Sequence, residues 1–463
     1  MAFVGLFVVL LGAVLFLDRV VPDHRSSTKT DEAGAFVSTG WYCPAPNGED
    51  LEALMSTANL GRSPLAVRQL SVGEKKESDF AQARVEALHR RSIPLRQFNI
   101  PNAVGVTDAF GENSTAALTV RGRGKGFASS ECSPQPWDRW YFASASTVRG
   151  EDHYLLVANP FREEAVVKVR LLMPDKDVVP ARLKDLVIPT LSQTAVYLPD
   201  YYVENPSFGV ELTATTGRVI VSRYSAVNRG GVRGLSLDLG VREPAANWHF
   251  AGGEVPQNGE EELILVNPGD REALVEITFP TDSDQVAPQD LSELPVEGGR
   301  QVTVDVSDHL PRGTKHGVVV TSSNSVPLVV ERRITAPVEG GRGIDMVFGV
   351  PRASQRWVVP VGSDVGGFSS LAITNPGGGE ATVRVSLISD DGPARPPELA
   401  ALTVEAGRRE TVDLTNLLRR EMATAVVEAT NGAIAVESQA VLGDPYSDFA
   451  FTAGEPVAVG GRP

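Results

Sequence analysis

A phrase of apolar residues closing on Asn-Pro recurs along this chain at a fixed interval, and that recurrence constrains the fold more than any other feature. It ends at Asn159-Pro160, Asn267-Pro268 and Asn375-Pro376, each 108 residues after the last. A tryptophan precedes each Asn by 18 or 19 residues, at Trp140, Trp248 and Trp357. An alanine stands six residues after each Asn, and an alternating run follows it: VVKVRLL, LVEITF and TVRVSLI. AVYLPD, TVDVSD and TVDLTN keep the same register further along. A degenerate copy comes earlier, with Trp41, then Asn59, then PLAVRQLSV; Leu60 stands where the others have Pro. Self-similarity at one period marks repeated structural modules, so four copies are expected.

Within each copy, short runs alternate apolar and polar residues, the mark of half-buried strands. The chain's 32 Pro and 44 Gly supply the turns between them. About seven strands per copy reads as an immunoglobulin-like sandwich, whereas a propeller blade has four strands in about 40–45 residues. The expected fold is therefore all-β: four tandem immunoglobulin-like β-sandwich repeats at 39–135, 136–243, 244–352 and 353–463. Linkers this short let the repeats pack on one another, and a rod and a compact block both stay open. The first copy also carries a charged insertion, residues 74–91, read as a short helix or a solvated loop. The Asn-Pro phrase has a plain structural role. Proline ends a strand because it cannot donate to the ladder, and Asn bonds the backbone of the turn it starts. The tryptophans read as core plugs.

Ahead of the repeats, Ala2 to Leu17 contain no charged or strongly polar side chain, and no small-residue cleavage site follows. Residues 1–21 are expected to form an uncleaved transmembrane signal anchor, and the polar residues 22–38 a flexible stalk. The basic residues Arg19, Arg25 and Lys29 follow the span and, by the positive-inside rule alone, favour the opposite orientation. The long polar remainder and the two cysteines favour an extracytoplasmic C-terminal bulk at the plasma membrane. Cys43 and Cys132 fall in the same copy. They read as a disulfide in an oxidising compartment, or as two buried thiols in a reducing one.

Net charge is −15, which is unfavourable for nucleic acid, since phosphate binding needs clustered Lys and Arg. No nucleophile elbow, zinc-binding helix motif or phosphate loop occurs. No catalytic residue, cofactor or metal site is expected. His309 and His316 lie seven apart and read as turn histidines rather than ligands. Asp282 and Asp284, and the pair Asp390-Asp391, occupy equivalent loops and read as polar turns, with calcium the lesser alternative. Asn113-Ser114-Thr115 matches a glycosylation sequon. The aromatics of WDRWYF (Trp137 to Phe142) and Tyr201-Tyr202 read as packing residues before ligand platforms.

The opening Trp41-Tyr42-Cys43-Pro44, together with Trp140 and the Asn-Pro pairs at 159, 267 and 375, resembles an uncharacterised family of actinobacterial membrane-anchored envelope proteins. The resemblance implies one N-terminal membrane span followed by β-rich repeats, and no assigned activity. The expected function is a non-catalytic, membrane-anchored extracytoplasmic scaffold or interaction protein of the bacterial cell envelope. The alternative is a glycan-binding module assisting envelope polysaccharide assembly. The expected partners are accordingly the membrane, through the N-terminal helix, and an envelope protein or glycan.

Overall fold

The computed structural model describes residues 40–48, 50–73, 76–95, 104–110 and 113–457; the expected anchor (1–21) and stalk (22–38) lie outside them. Among the described residues no helix is long and apolar enough to cross a membrane. Strands dominate, and the period-two pattern explains them. Along Ala165–Leu172, Ala165, Val167, Val169 and Leu171 are buried while Lys168 is exposed, so one face of the strand meets a core and the other meets water.

The first copy contributes β1 (Gly40–Pro44), β2 (Leu51–Asn59), β3 (Leu65–Gly73), β4 (Lys76–Val85), β5 (Arg90–Pro94), β6 (Val104–Phe110), β7 (Ser114–Gly122) and β8 (Gly126–Glu131). One sheet runs β1-β6-β3-β4 and the other β5-β2-β7-β8. Trp41, Cys43, Met55, Leu118 and Val120 pack between them. The same path recurs in the second copy. Arg139–Ala145, Phe208–Thr216, Ala165–Leu172 and Asp177–Val178 form one sheet, and Ser192–Tyr197, Glu151–Asn159, Ile220–Arg229 and Val232–Leu239 lie in the other. The third and fourth copies follow it again. The architecture is two-layered, but the strand order is not that of an immunoglobulin domain, where the first two strands share a sheet. Here the second strand crosses to the facing sheet.

Most of the charged segment 74–91 is neither a helix nor a solvated loop. Its residues Lys76–Val85 form β4, which pairs antiparallel with β3 from Gly73↔Lys76 to Leu65↔Val85. Charge suits this position, because β4 is an edge and charged residues there discourage pairing with a second molecule.

The four last strands, β8, Val232–Leu239, Gly341–Phe348 and Asp448–Ala453, are inner-sheet edges that lie side by side. Each neighbours the next, and the fourth neighbours the first. A parallel bridge at Val232↔Arg342 joins the second and third copies into one eight-stranded sheet. The copies therefore close into a ring around an axis of edge strands. Beyond its last strand the chain turns back to pair with the first strand of the same copy. The pairs are Tyr42↔Ser133, Tyr141↔Val241, His249↔Val350 and Val358↔Glu455.

Candidate functional site

The four signature asparagines make the same bonds. Asn59, Asn159, Asn267 and Asn375 are fully buried. Each Nδ2 donates to the carbonyl four residues on (Ser63, Glu163, Arg271, Gly379) and to one across the sandwich (Val85, Ile188, Val296, Val404). Each Oδ1 accepts from the amide two residues on. Asn59 does this without a following proline, so the amide side chain rather than Pro160, Pro268 or Pro376 organises the turn. Trp41, Trp140, Trp248 and Trp357 are buried at the first strands. Three of their indole N–H groups donate to the carbonyls of Val219, Leu328 and Ile434, and that of Trp41 to Ser114 Oγ. These residues hold each copy together and are not gathered into one site.

Cys43 and Cys132 are bonded, with their Cα atoms 4.7 Å apart. The bond occupies a position that other copies fill differently. Counting from the signature tryptophan, Cys43 aligns with Phe142 and Phe250; counting along the last strand, Cys132 aligns with Gly240 and Gly349. A Cβ on Gly240 would lie 2.7 Å from the Phe142 ring, and one on Gly349 2.8 Å from Phe250. A phenylalanine over a glycine thus does in two copies what the disulfide does in the first.

Charge is buried where copies meet. Between the second and third, Arg223 pairs with Glu331 and, at 2.8 Å, with Asp238. Glu331 Oε2 also accepts from the amides of Ala143 and Ser144. The device recurs between the third and fourth: Arg332 pairs with Glu437 at 2.5 Å, and Glu437 Oε2 accepts from the amide of Gly252. Burial pushes the Glu437 carboxyl up, opposed by Arg332. Glu261 is held below the usual range, because His316 at 3.1 Å and Arg332 outweigh the cost of its burial. A second contact runs the whole way round. Gln193 donates to the Ala45 carbonyl, Gln301 to Ala143, Arg409 to Gly253 and Arg90 to Met422. The last of these ties the first copy to the fourth.

At the axis a carboxylate of the fourth copy meets the other three copies. Asp448 is wholly buried, and it aligns with Gly126, Gly234 and Gly343 at the start of the other last strands. Its Oδ2 accepts from the amides of Leu235 (2.7 Å) and Phe127 (3.3 Å), and its Oδ1 from Ile344 (3.1 Å). Burial pushes this carboxyl well up, while these amides and that of Phe449 pull against it. A Cβ on any of the three glycines would fall within 2.5 Å of its oxygens. One copy supplies the acceptor and the others supply room and donors.

At the opposite ends of the same strands lies a cavity of about 540 Å³. Its wall comes from the three linkers between copies and from the fourth copy's closing strand: Trp137, Leu239, Pro244, Arg352, Glu131 and Glu455 all face it. Arg242 lies 4.4 Å over the Trp137 ring. The volume is that of a small-ligand site.

A family of unknown function (DUF5719) matches residues 102–231 and 219–461. The chain belongs to this family. No curated protein matches the DUF5719 chain. Among solved structures it is similar to Thermotoga maritima 1070, at 20% identity over 24% of this chain and 97% of that one, with a TM-score of 0.22. It is also similar to the Anabaena sensory rhodopsin transducer, at 31% identity over 20% and 90%, with a TM-score of 0.17. A Streptomyces avermitilis α-L-rhamnosidase complexed with L-rhamnose shares 8% identity over 81% and 54%, with a TM-score of 0.14.

The remaining sequence candidates of this DUF5719 member scatter. Asp282 faces Arg409 of the next copy at 3.6 Å, and Asp390 faces Arg90 of the next copy at 3.2 Å. The two equivalent acidic loops are thus seam contacts. Asp284 accepts from the Gln285 amide within its own turn. His309 stacks on Phe279 and His316 meets it edge-on, while His316 bonds Glu261. Among the described residues no group of three or more His, Cys, Asp or Glu is placed to hold a metal ion. Trp140, Tyr141 and Phe142 are buried, and Trp137 and Trp140 both line the axial cavity. Arg182 lies over Tyr201 at 4.9 Å.

Proposed function

We propose that this protein is a non-catalytic scaffold of the bacterial cell envelope. It is held at the plasma membrane by residues 1–21 and a stalk at 22–38, and its extracytoplasmic ring grips a partner over the axial cavity. In this reading the ring consists of four tandem sandwiches at 39–135, 136–243, 244–352 and 353–463, immunoglobulin-like in their two-layer architecture. The observation that carries the proposal is the cavity wall. Linkers from every junction converge there with the fourth copy's closing strand, so one occupant reaches all four copies, and the ring offers a single composite surface. The buried charges elsewhere are committed to seams between copies, which suits a rigid platform. The Cys43–Cys132 bond favours an oxidising compartment.

The test has two arms. Thiol labelling of intact cells, with and without reductant, on the native chain and Cys43→Ser, is expected to find label only after reduction or substitution. Label reached only after lysis would refute the topology. A photo-crosslinker at Arg352 is expected to trap an envelope component that one at Lys168, exposed on an outer sheet, does not. Equal trapping at both refutes the cavity as the docking surface. The glycan reading gains from Trp137 at the cavity wall, although Arg242 already covers one face of its ring. Saturable polysaccharide binding lost in Trp137→Ala would select it.

A further inference from the structure

Glu131 and Glu455 line both the axial cavity and the narrow seam between the first and fourth copies. Glu455 Oε2 accepts from Thr115 Oγ1 at 3.0 Å. Glu131 Oε1 is buried and accepts from no group. Burial, then Glu455, pushes the Glu131 carboxyl well up, and burial pushes Glu455 up to about 7. The contrast with the other charged seams is direct. Glu331 has Arg223 and Glu437 has Arg332. Here, among the described residues, no Lys, Arg or His pairs with either carboxylate. Two carboxylates that share a poorly solvated site raise each other's affinity for positive charge, and buried acceptors without donors are costly.

We propose that the axial cavity binds an organic cation, a primary ammonium or guanidinium on an apolar stem, with its head between Glu131 and Glu455. The stem lies along Leu239 and Pro244, as basic side chains do when the charge alone needs polar partners. Trp137 adds an aromatic wall suited to a cation. Arg242 and Arg352 outnumber Glu243 at the exposed rim, and this net positive charge disfavours a polybasic run relative to a lone cation. A lysine or arginine side chain of a partner polypeptide and a free amine share this chemistry.

The inference rests on the scaffold reading only for its partner; the site itself is tested on the purified chain. N-acetyl-lysine methylamide, cadaverine and N-acetyl-norleucine methylamide are titrated by calorimetry and by tryptophan fluorescence. The two cationic probes are expected to saturate about tenfold or more tighter than the norleucine probe, a difference of about 1.4 kcal/mol. Binding is expected to vanish in Glu131→Gln/Glu455→Gln. A lysine probe tighter than cadaverine points to a polypeptide source, and the reverse order to a free amine. Equal binding of the norleucine probe, no saturation by either cation, or unchanged binding in the double variant overturns the proposal. Should that variant not fold, the comparison of charged and neutral probes on the native chain decides alone. Failure of the probes leaves the Arg352 cross-links standing. Loss of those cross-links with intact probe binding removes the scaffold reading and keeps the cation site.

Discussion

Gly234→Ala isolates the axial carboxylate. Unlike Gly126, whose φ is +130°, Gly234 has no left-handed backbone, so the substitution tests space alone. The new Cβ would lie 2.5 Å and 2.7 Å from the two oxygens of Asp448 and 2.8 Å from its Cγ. The carboxylate cannot retreat without breaking its bonds to Leu235, Phe127 and Ile344. Overpacking of this kind costs about 1–3 kcal/mol, and a weakened charge-assisted bond adds about 1.5–3 kcal/mol. Together these give about 2.5–6 kcal/mol. Asp448→Gly leaves three amides from three other copies without an acceptor, at about 1–3 kcal/mol each. In the double variant the alanine has room, so the two costs should fall short of their sum by about 1–3 kcal/mol. Urea unfolding gives the totals, and amide exchange at Phe127, Leu235 and Ile344 reports the site directly. Additivity within about 0.5 kcal/mol, or amide exchange unchanged in Asp448→Gly, would refute the account of Asp448 as the pin of the ring.

Four further outcomes are expected. Arg332→Ala leaves Glu437 and Glu261 buried without their guanidinium and should cost about 3–5 kcal/mol; adding Glu437→Gln should recover part of it, as thermal unfolding will show. Asn267→Asp keeps the shape but turns a carboxylate towards the Arg271 and Val296 carbonyls. It should destabilise more than Asn267→Ala, itself worth about 1–3 kcal/mol, by urea midpoint. Replacing the disulfide by Cys43→Ala/Cys132→Ala should cost about 2–5 kcal/mol. Cys43→Phe/Cys132→Gly, which copies the second and third repeats, should retain more of that stability under the same assay. The Glu455 carboxyl lies at about 7 in the folded chain, above the ordinary value of about 4.3 for an unfolded one. The folded state therefore holds the extra proton between those pH values, and stability falls as pH rises through them. Glu455→Gln should raise the melting temperature at pH 8 and make little difference at pH 4.5.

What could be read along the chain was whatever each copy does for itself. The Asn and Trp positions repeat because every sandwich needs the same turn and the same plug, so identity across copies exposed them. What copies do for one another sits at aligned positions where the residues differ, and a search for recurrence passes over such positions. Asp448 aligns with three glycines, Cys43 and Cys132 align with Phe-over-Gly pairs, and Asp282 and Asp390 answer Arg409 and Arg90 one copy on. Within the charged segment, Lys76–Val85 misled for a related reason: its charge reflects an edge of the sheet, not an absence of structure.

The differences at the seams have a physical purpose that identity could not serve. A head-to-tail interface repeated without change closes only if its rotation allows, and otherwise continues into an open filament of many chains. Here the register of the hairpins aligns Ala117, Ser222, Glu331 and Glu437, and beside them Leu118, Arg223, Arg332 and Ser438. Arginine of one copy meets glutamate of the next at two seams only. The first-to-second seam has Leu118 and Ser222 at those positions, and the fourth-to-first has Ser438 and Ala117. Pairing the wrong copies would leave Glu331 or Glu437 buried without its guanidinium, a penalty of about 3–5 kcal/mol. Asp448, present once, allows one copy at the axis to supply the acceptor and requires glycine from the others. Unequal seams around equal sandwiches thus specify a ring of four in one order, and at the seam that closes it Glu131 and Glu455 stand without the arginine that answers Glu331 and Glu437.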